Sequence, residues 1–187
     1  MTLSKFFSFP DNEPLRYANT FATQKTTGPD RLIIGPESHH IDILLSLARS
    51  LPEPFGLLYV LLTPRGKSAD PGRYQSPLPS SLEEAEFFLQ RFQSYFEFDG
   101  RHHIWLVSLP ASSTLVYDNH NVIYAYGPLE QFRKKLLELG LTEQPTAIPY
   151  PHGHMYFPEF DSSERDIMSY WAWQKFPLLE TDDDMRS

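Results

Sequence analysis

The pattern of apolar and polar positions is clearest between residues 101 and 141. An apolar run at 102–109 predicts an interior strand, and two β-rich runs about a polar turn predict a hairpin at 114–126. A helical apolar stripe then begins after Pro128, a residue suited to the first helical position, and ends at Gly140. The rest of the chain is therefore expected to pack around a central hairpin and helix.

The flanking segments predict further helices and strands. The apolar run at 55–63 predicts a strand buried on both faces beside 102–109. Helical spacing predicts helices at 38–51 and 82–96, and a last helix from Asp161. The second helix is preceded by two registers of a capping box, formed by Ser80 or Ser81 with Glu83 or Glu84.

The order of these elements predicts the fold class. After residue 101 there are too few helical crossovers for a doubly wound fold. We therefore expect one α+β domain over 1–187, with a mixed or mainly antiparallel sheet, the hairpin at its centre and about four helices. Three segments of this domain are expected to lie outside its regular elements: an irregular N-terminal arm at 1–30, a long Pro/Gly-rich loop at 64–79 and a frayed acidic tail at 180–187.

Composition and charge exclude several classes of function. The 187-residue chain has a formal net charge of −8, which argues against nucleic acid and anionic membranes as partners. It contains no cysteine, which excludes disulfides and thiolate chemistry and fits a cytoplasmic location. No apolar run approaches the length of a membrane span, and the N-terminus lacks the apolar core of a signal peptide.

The best candidate for a metal site is His152-Gly153-His154. In an extended segment, residues two apart project from the same face and can share one ion. Glu159 or Asp161 is the expected carboxylate ligand, and other candidates for the third ligand are His102, His103 and His120. A divalent metal is the one cofactor that the sequence suggests. The alternative is that these histidines bind only backbone or water.

A second arrangement of chemistry-bearing residues lies in the hairpin turn. Asp118 and His120 are two positions apart, the spacing of a base and a residue that orients it. No nucleophile can be assigned to them, because the chain has neither a GxSxG elbow nor a cysteine.

The loop at 64–79 concentrates basic residues in an acidic chain. Arg65, Lys67, Arg73 and Tyr74 form a candidate site for an anion or for a partner's carboxylates. Gly66-Lys67-Ser68 is not the end of a phosphate loop, because Leu61 stands where the pattern needs glycine. The alternative is a solvated loop with its tyrosine turned inward.

Trp171 and Trp173 are candidate interface residues. If both belong to the last helix, they point in different directions, so one is expected to be exposed or covered by another segment. An exposed tryptophan would be a suitable anchor for a partner. The alternative is that the N-terminal arm packs over this tryptophan with Phe6, Phe7 and Phe9.

These observations lead to three hypotheses of function. The first is a non-catalytic interaction protein that binds a basic protein, as immunity proteins do, or a second copy of itself. The second is a metal-dependent hydrolase that uses the His-x-His pair. The third is a small-ligand site between the sheet and the loop at 64–79. No motif in the sequence names a reaction.

Overall fold

The computed structural model describes residues 3–67, 69–77 and 80–183. Within them the strands are β1 (Phe6–Ser8), β2 (Thr20–Gln24), β3 (Arg31–Gly35), β4 (Phe55–Leu61), β5 (Gly72–Gln75), β6 (His102–Ser108), β7 (Ser113–Tyr117), β8 (Ile123–Tyr126), β9 (Thr142–Glu143), β10 (His152–His154) and β11 (Gln174–Phe176). The helices are α1 (His40–Ala48), α2 (Leu82–Arg91), α3 (Gln93–Phe98), α4 (Leu129–Glu138), α5 (Asp161–Tyr170) and α6 (Glu180–Asp183).

The strands form one large sheet and one small sheet. The large sheet has nine strands in the order β11-β5-β4-β6-β7-β8-β3-β2-β9, and only the β2–β9 pair is parallel. The small sheet is the antiparallel pair of β1 and β10. This architecture confirms the predicted single-domain α+β fold with a mixed sheet, and the β7–β8 hairpin lies in the middle of the large sheet.

Two apolar layers cover the two faces of the large sheet. On one face, side chains of β3, β4, β6, β7 and β8 pack with those of α1 to α5, including Leu44, Phe88, Phe132 and Ile167. On the other face, a smaller cluster around Val116 and Tyr124 contacts segments outside the sheet. The alternation of side chains along each strand explains why β4 and β6 are apolar on both faces.

The predicted helices are found, with one interruption. Ser81 is the N-cap of α2, and its reciprocal hydrogen bonds with Glu84 form the capping box. The single helix expected over 82–96 is divided at Phe92, whose backbone (φ −108°, ψ 16°) leaves the helical region. The apolar spacing continues across the break, so the sequence pattern contains no sign of it.

Three expectations about irregular segments need correction. The arm at 1–30 contains β1 and β2, because its aromatic residues pair with β10 and β3. The loop at 64–79 contains β5, which pairs with β4 and β11. The tail at 180–187 begins with α6, and its residues 184–187 lie outside the described part of the chain.

Both tryptophans of the candidate interface pack onto the core. Helix α5 ends at Tyr170, so Trp171 and Trp173 lie in the turn that follows it and helical directions do not apply to them. The Trp171 ring stacks on Phe88 with 4.6 Å between centroids, and Trp173 Nε1 donates to the Ile167 carbonyl at 2.7 Å. The N-terminal arm lies elsewhere, against β10.

Among the described residues, no helix combines the length and the apolar character that crossing a membrane requires.

Candidate metal centre

The turn between β7 and β8 positions the first histidine of the site. Asp118 Oδ1 accepts the backbone N–H groups of His120 and Val122 at 2.9 and 3.0 Å. Asn121 adopts the left-handed conformation, with φ at 61°, which asparagine tolerates better than most residues. An aspartate that bonds the backbone ahead of it is a common device for closing a turn. The turn therefore holds the His120 side chain in a fixed direction.

Strand β10 supplies two more histidines from one face. His154 lies opposite Phe6 of β1, and His152 lies opposite Ser8. The strand is held close to the core at Gly100, whose N–H donates to the Met155 carbonyl at 3.0 Å. A Cβ at this position would approach the His154 Cβ to 3.0 Å, so a glycine suits the close approach.

The three histidines converge. One ring nitrogen from each of His120, His152 and His154 lies within 4.8 Å of the others, a set that a single metal ion can bridge. His120 is buried, and the other two are half-buried. We call these three residues the histidine centre.

Partners outside the centre orient two of the rings. His120 Nδ1 lies 2.9 Å from Asp118 Oδ2, and His152 Nδ1 lies 2.6 Å from the Pro149 carbonyl oxygen. A carboxylate and a carbonyl oxygen accept hydrogen bonds here, so each Nδ1 carries a hydrogen, and in the neutral form of the ring the lone pair is on Nε2. Such outer partners are typical of histidines that bind metals. The buried Nε2 of His120 has no hydrogen-bond partner among the described residues.

His154 is the third donor. Neither of its ring nitrogens has a hydrogen-bond partner in the described chain. Burial, together with the neighbouring His120, lowers the pKa of His154 to about 3. The ring is therefore neutral at physiological pH, as a metal ligand must be.

The charges around the histidine centre are also buried. Burial raises the pKa of Asp118, but the hydrogen bond and charge of His120, the nearby His103 and the Val122 N–H together outweigh burial and hold the pKa below its usual value. Lys5 Nζ donates to the carbonyls of Phe96 and Asp118, both at 2.9 Å, and burial lowers its pKa to about 7. The Asp118 carboxylate itself receives no lysine or arginine in the described chain.

A second buried cluster lies next to this region and anchors the same C-terminal segment. Arg101 is fully buried, and all five of its guanidinium N–H groups have acceptors on Asp99, Asp161, Glu164 and the Phe157 carbonyl. We call Arg101, Asp99, Asp161 and Glu164 the arginine cluster. Burial favours the neutral guanidine and so lowers the pKa of Arg101. The hydrogen bonds that Arg101 donates to Asp99 and Glu164, with the charges around them, outweigh burial and raise this pKa.

The predicted carboxylate ligands are not at the histidine centre. Asp161 accepts from Arg101 and Arg65, both at 3.1 Å, and Glu159 is exposed in a short 3-10 turn. Of the alternative third ligands, His120 is the one that converges. His103 Nε2 lies 3.2 Å from Asn119 Oδ1, and His102 stacks on Tyr95 in the core.

The basic residues of the loop at 64–79 do not form one site in the structure. Arg65 pairs with Asp161, and Arg73 lies 3.6 Å from Asp182 and over the Trp105 ring. Tyr74 is turned inward and donates to the Asp70 carbonyl, while Lys67 is exposed. Arg73 lies within β5 and Arg65 precedes that strand, and the two guanidinium groups are paired with different carboxylates.

Sequence reasoning assigned no role in the site to Lys5, Phe6 or Arg101. A lysine and an arginine that precede apolar runs are usually solvated at the end of a strand, so their burial could not be recognised. The Asp118–His120 spacing was the one local signal for the carboxylate–histidine pair.

Comparison with known proteins gives no family for this chain. No protein-family model matches it, and neither the curated proteins nor the solved structures give a match.

Proposed function

We propose that this protein binds one divalent transition-metal ion, most suitably Zn²⁺, through His120, His152 and His154, and that it catalyses metal-assisted hydrolysis. The convergence of three ring nitrogens within 4.8 Å is the observation that carries the proposal. Buried nitrogens of His120 and His154 lack hydrogen-bond partners in the described chain, as do those of His40 and His102, so the convergence of the rings is what distinguishes this site.

The ligand set favours zinc over calcium or magnesium. Imidazole nitrogen suits zinc, copper and nickel, whereas calcium and magnesium prefer oxygen ligands. Three neutral histidines would leave the full charge of the ion and a fourth coordination position for water. Zinc bound in this way lowers the pKa of its water to about 7 and produces hydroxide near neutral pH.

The carboxylate of Asp118, next to the histidine centre, favours a bound cation there. Asp118 hydrogen-bonds to His120 and would increase the basicity of that ligand. Among the described residues, the buried Asp118 carboxylate is paired with His120 and accepts no hydrogen bond from a lysine or an arginine. A cation bound to His120 would add to the stabilisation of its charge.

Metal binding is tested first, on the untagged full chain after treatment with a chelator. We expect calorimetric titration with Zn²⁺ to give one site per chain, and the His152→Ala/His154→Ala double variant to lose it. His39→Ala is the matched control, because His39 is exposed and lies outside the histidine centre. Absence of binding in the parent protein, or unchanged binding in the double variant, would contradict the metal site.

Hydrolysis is tested separately, with the zinc-loaded protein and esters graded in size from acetyl to benzoyl. We expect metal-dependent turnover of the smallest esters that the double variant lacks. A protein that binds zinc and hydrolyses none of them would retain the metal site and refute the hydrolytic activity.

The hypothesis of a basic protein partner remains a prediction. It rests on the net charge of −8, and nothing in the described contacts tests it.

A further inference from the structure

Phe6 lies directly on the histidine centre. Its ring is fully buried, and its centroid lies 5.5, 5.1 and 5.9 Å from those of His120, His152 and His154. The three imidazole centroids are 4.9, 4.8 and 5.7 Å from one another. All six distances are similar, so the four rings occupy the corners of an approximate tetrahedron with Phe6 at the fourth.

The position of Phe6 is fixed from several sides. On the strand, its carbonyl accepts from Leu15 N–H at 3.0 Å, and its ring stacks on Tyr17 with a centroid distance of 6.3 Å. The preceding residue, Lys5, is tied to the Phe96 and Asp118 carbonyls. Strand β1 therefore cannot shift Phe6 without breaking buried hydrogen bonds.

We infer that Phe6 is a specificity-determining residue of the histidine centre, one that admits water and small ligands to the metal and excludes larger substrates. The inference rests on the proposed metal site. The aromatic ring at the fourth corner would narrow the fourth coordination position, so that it stays open to water and closed to a bulky substrate. The ring also makes the surroundings apolar, which strengthens electrostatic interactions between the ion and a small bound ligand.

This inference narrows the substrate class of the proposed reaction. The ester or other acyl compound that reaches the metal should carry a small acyl group with no aromatic ring. Water, the second reactant, is small enough to bind beside Phe6. Water would lose a proton to the solvent, and the resulting hydroxide would add to the acyl carbon. The bond between that carbon and the leaving group would then break, and the leaving group would take up a proton from the solvent.

The test uses the cobalt-substituted full chain, because the visible spectrum of Co²⁺ reports new ligands without any turnover. Azide is the small probe and benzoate is the large one. Phe6→Leu shortens the side chain conservatively, and Phe6→Ala removes the ring altogether. Phe7→Leu is the matched control. Phe7 is also a buried phenylalanine of β1, but it is the next residue along the strand and lies opposite Gly153 instead of a histidine.

We expect the parent protein and Phe7→Leu to bind azide and to show no spectral change with benzoate. Phe6→Leu and Phe6→Ala should gain benzoate binding by at least tenfold. The inference would be overturned if the parent protein bound benzoate as tightly as the Phe6 variants, or if neither Phe6 variant gained benzoate binding. Failure of cobalt or zinc to bind the parent protein would instead refute the metal site itself.

Discussion

Two buried polar clusters attach the same C-terminal segment to the sheet, and they differ in how completely their atoms are paired. In the arginine cluster, every N–H group of Arg101 has an acceptor. In the histidine centre, ring nitrogens of His120 and His154 are buried without one. A fully paired network stabilises a fold, whereas unpaired buried atoms require another explanation. The comparison sets a fully paired network against the site that we propose for a metal ion.

The comparison predicts the largest effect for removal of Arg101. Arg101→Leu leaves the buried carboxylates of Asp99 and Glu164 without their cation, and we expect it to lower the free energy of unfolding by about 3–5 kcal/mol. Urea unfolding measures the change. A loss below about 1 kcal/mol would show that the cluster is not a structural network.

Acid should distinguish the two regions in the metal-free protein. Burial lowers the pKa of His40 and His154 to about 3 and that of His103 to about 4, below the usual value of about 6.5. The unfolded chain therefore takes up protons first as pH falls, and stability should decrease between pH 6.5 and about 4. Each group contributes a slope of up to about 1.4 kcal/mol per pH unit.

Urea unfolding of the parent protein and of His154→Gln across this pH range measures that effect. Burial also lowers the pKa of His102, so four groups of this kind contribute in the described chain, and we expect the variant to lose about a quarter of the slope. Arg101 stays charged throughout the range and contributes no slope. Identical slopes in the two proteins would contradict a neutral, buried His154.

A smaller effect is expected from Asp118→Asn, which changes one acceptor atom beside the histidine centre. In Asp118→Asn the amide oxygen can still accept the N–H groups of His120 and Val122, but its NH₂ group cannot accept the proton of His120 Nδ1. We expect zinc affinity to fall about 10–100-fold with little change in the fold. Competition with a chelator of known affinity measures it, and unchanged affinity would argue against an orienting role for Asp118.

The smallest effect is expected at the edge of the arginine cluster. Arg65 pairs with Asp161 at 3.1 Å, but both side chains are about one-third exposed. Arg65→Ala should change the free energy of unfolding by about 1 kcal/mol or less, since water screens such pairs. This variant is also the control for Arg101→Leu. A loss as large as that of Arg101→Leu would mean that burial is not what distinguishes the two arginines.

Local patterns were sufficient for most of the secondary structure. The hairpin, the capping box at Ser81 and the apolar stripes of α1 and α4 depend on residues that are near one another in sequence. The break at Phe92 and the strand inside 64–79 were not predicted. The first interrupts a continuing stripe, and the second forms only because β4 and β11 provide partners.

The spacing of two residues was enough to predict that His152 and His154 share a face and that Asp118 lies within reach of His120. Both properties follow from short-range backbone geometry. The tertiary structure was needed to show that these pairs converge, that Phe6 packs on them and that Asp161 forms an ion pair with Arg101. His120 and His152 are separated along the chain by β8, α4 and β9, and β1 precedes His120 by more than half of the chain. Their contact depends on strand pairing between distant segments, which no local pattern of residues specifies.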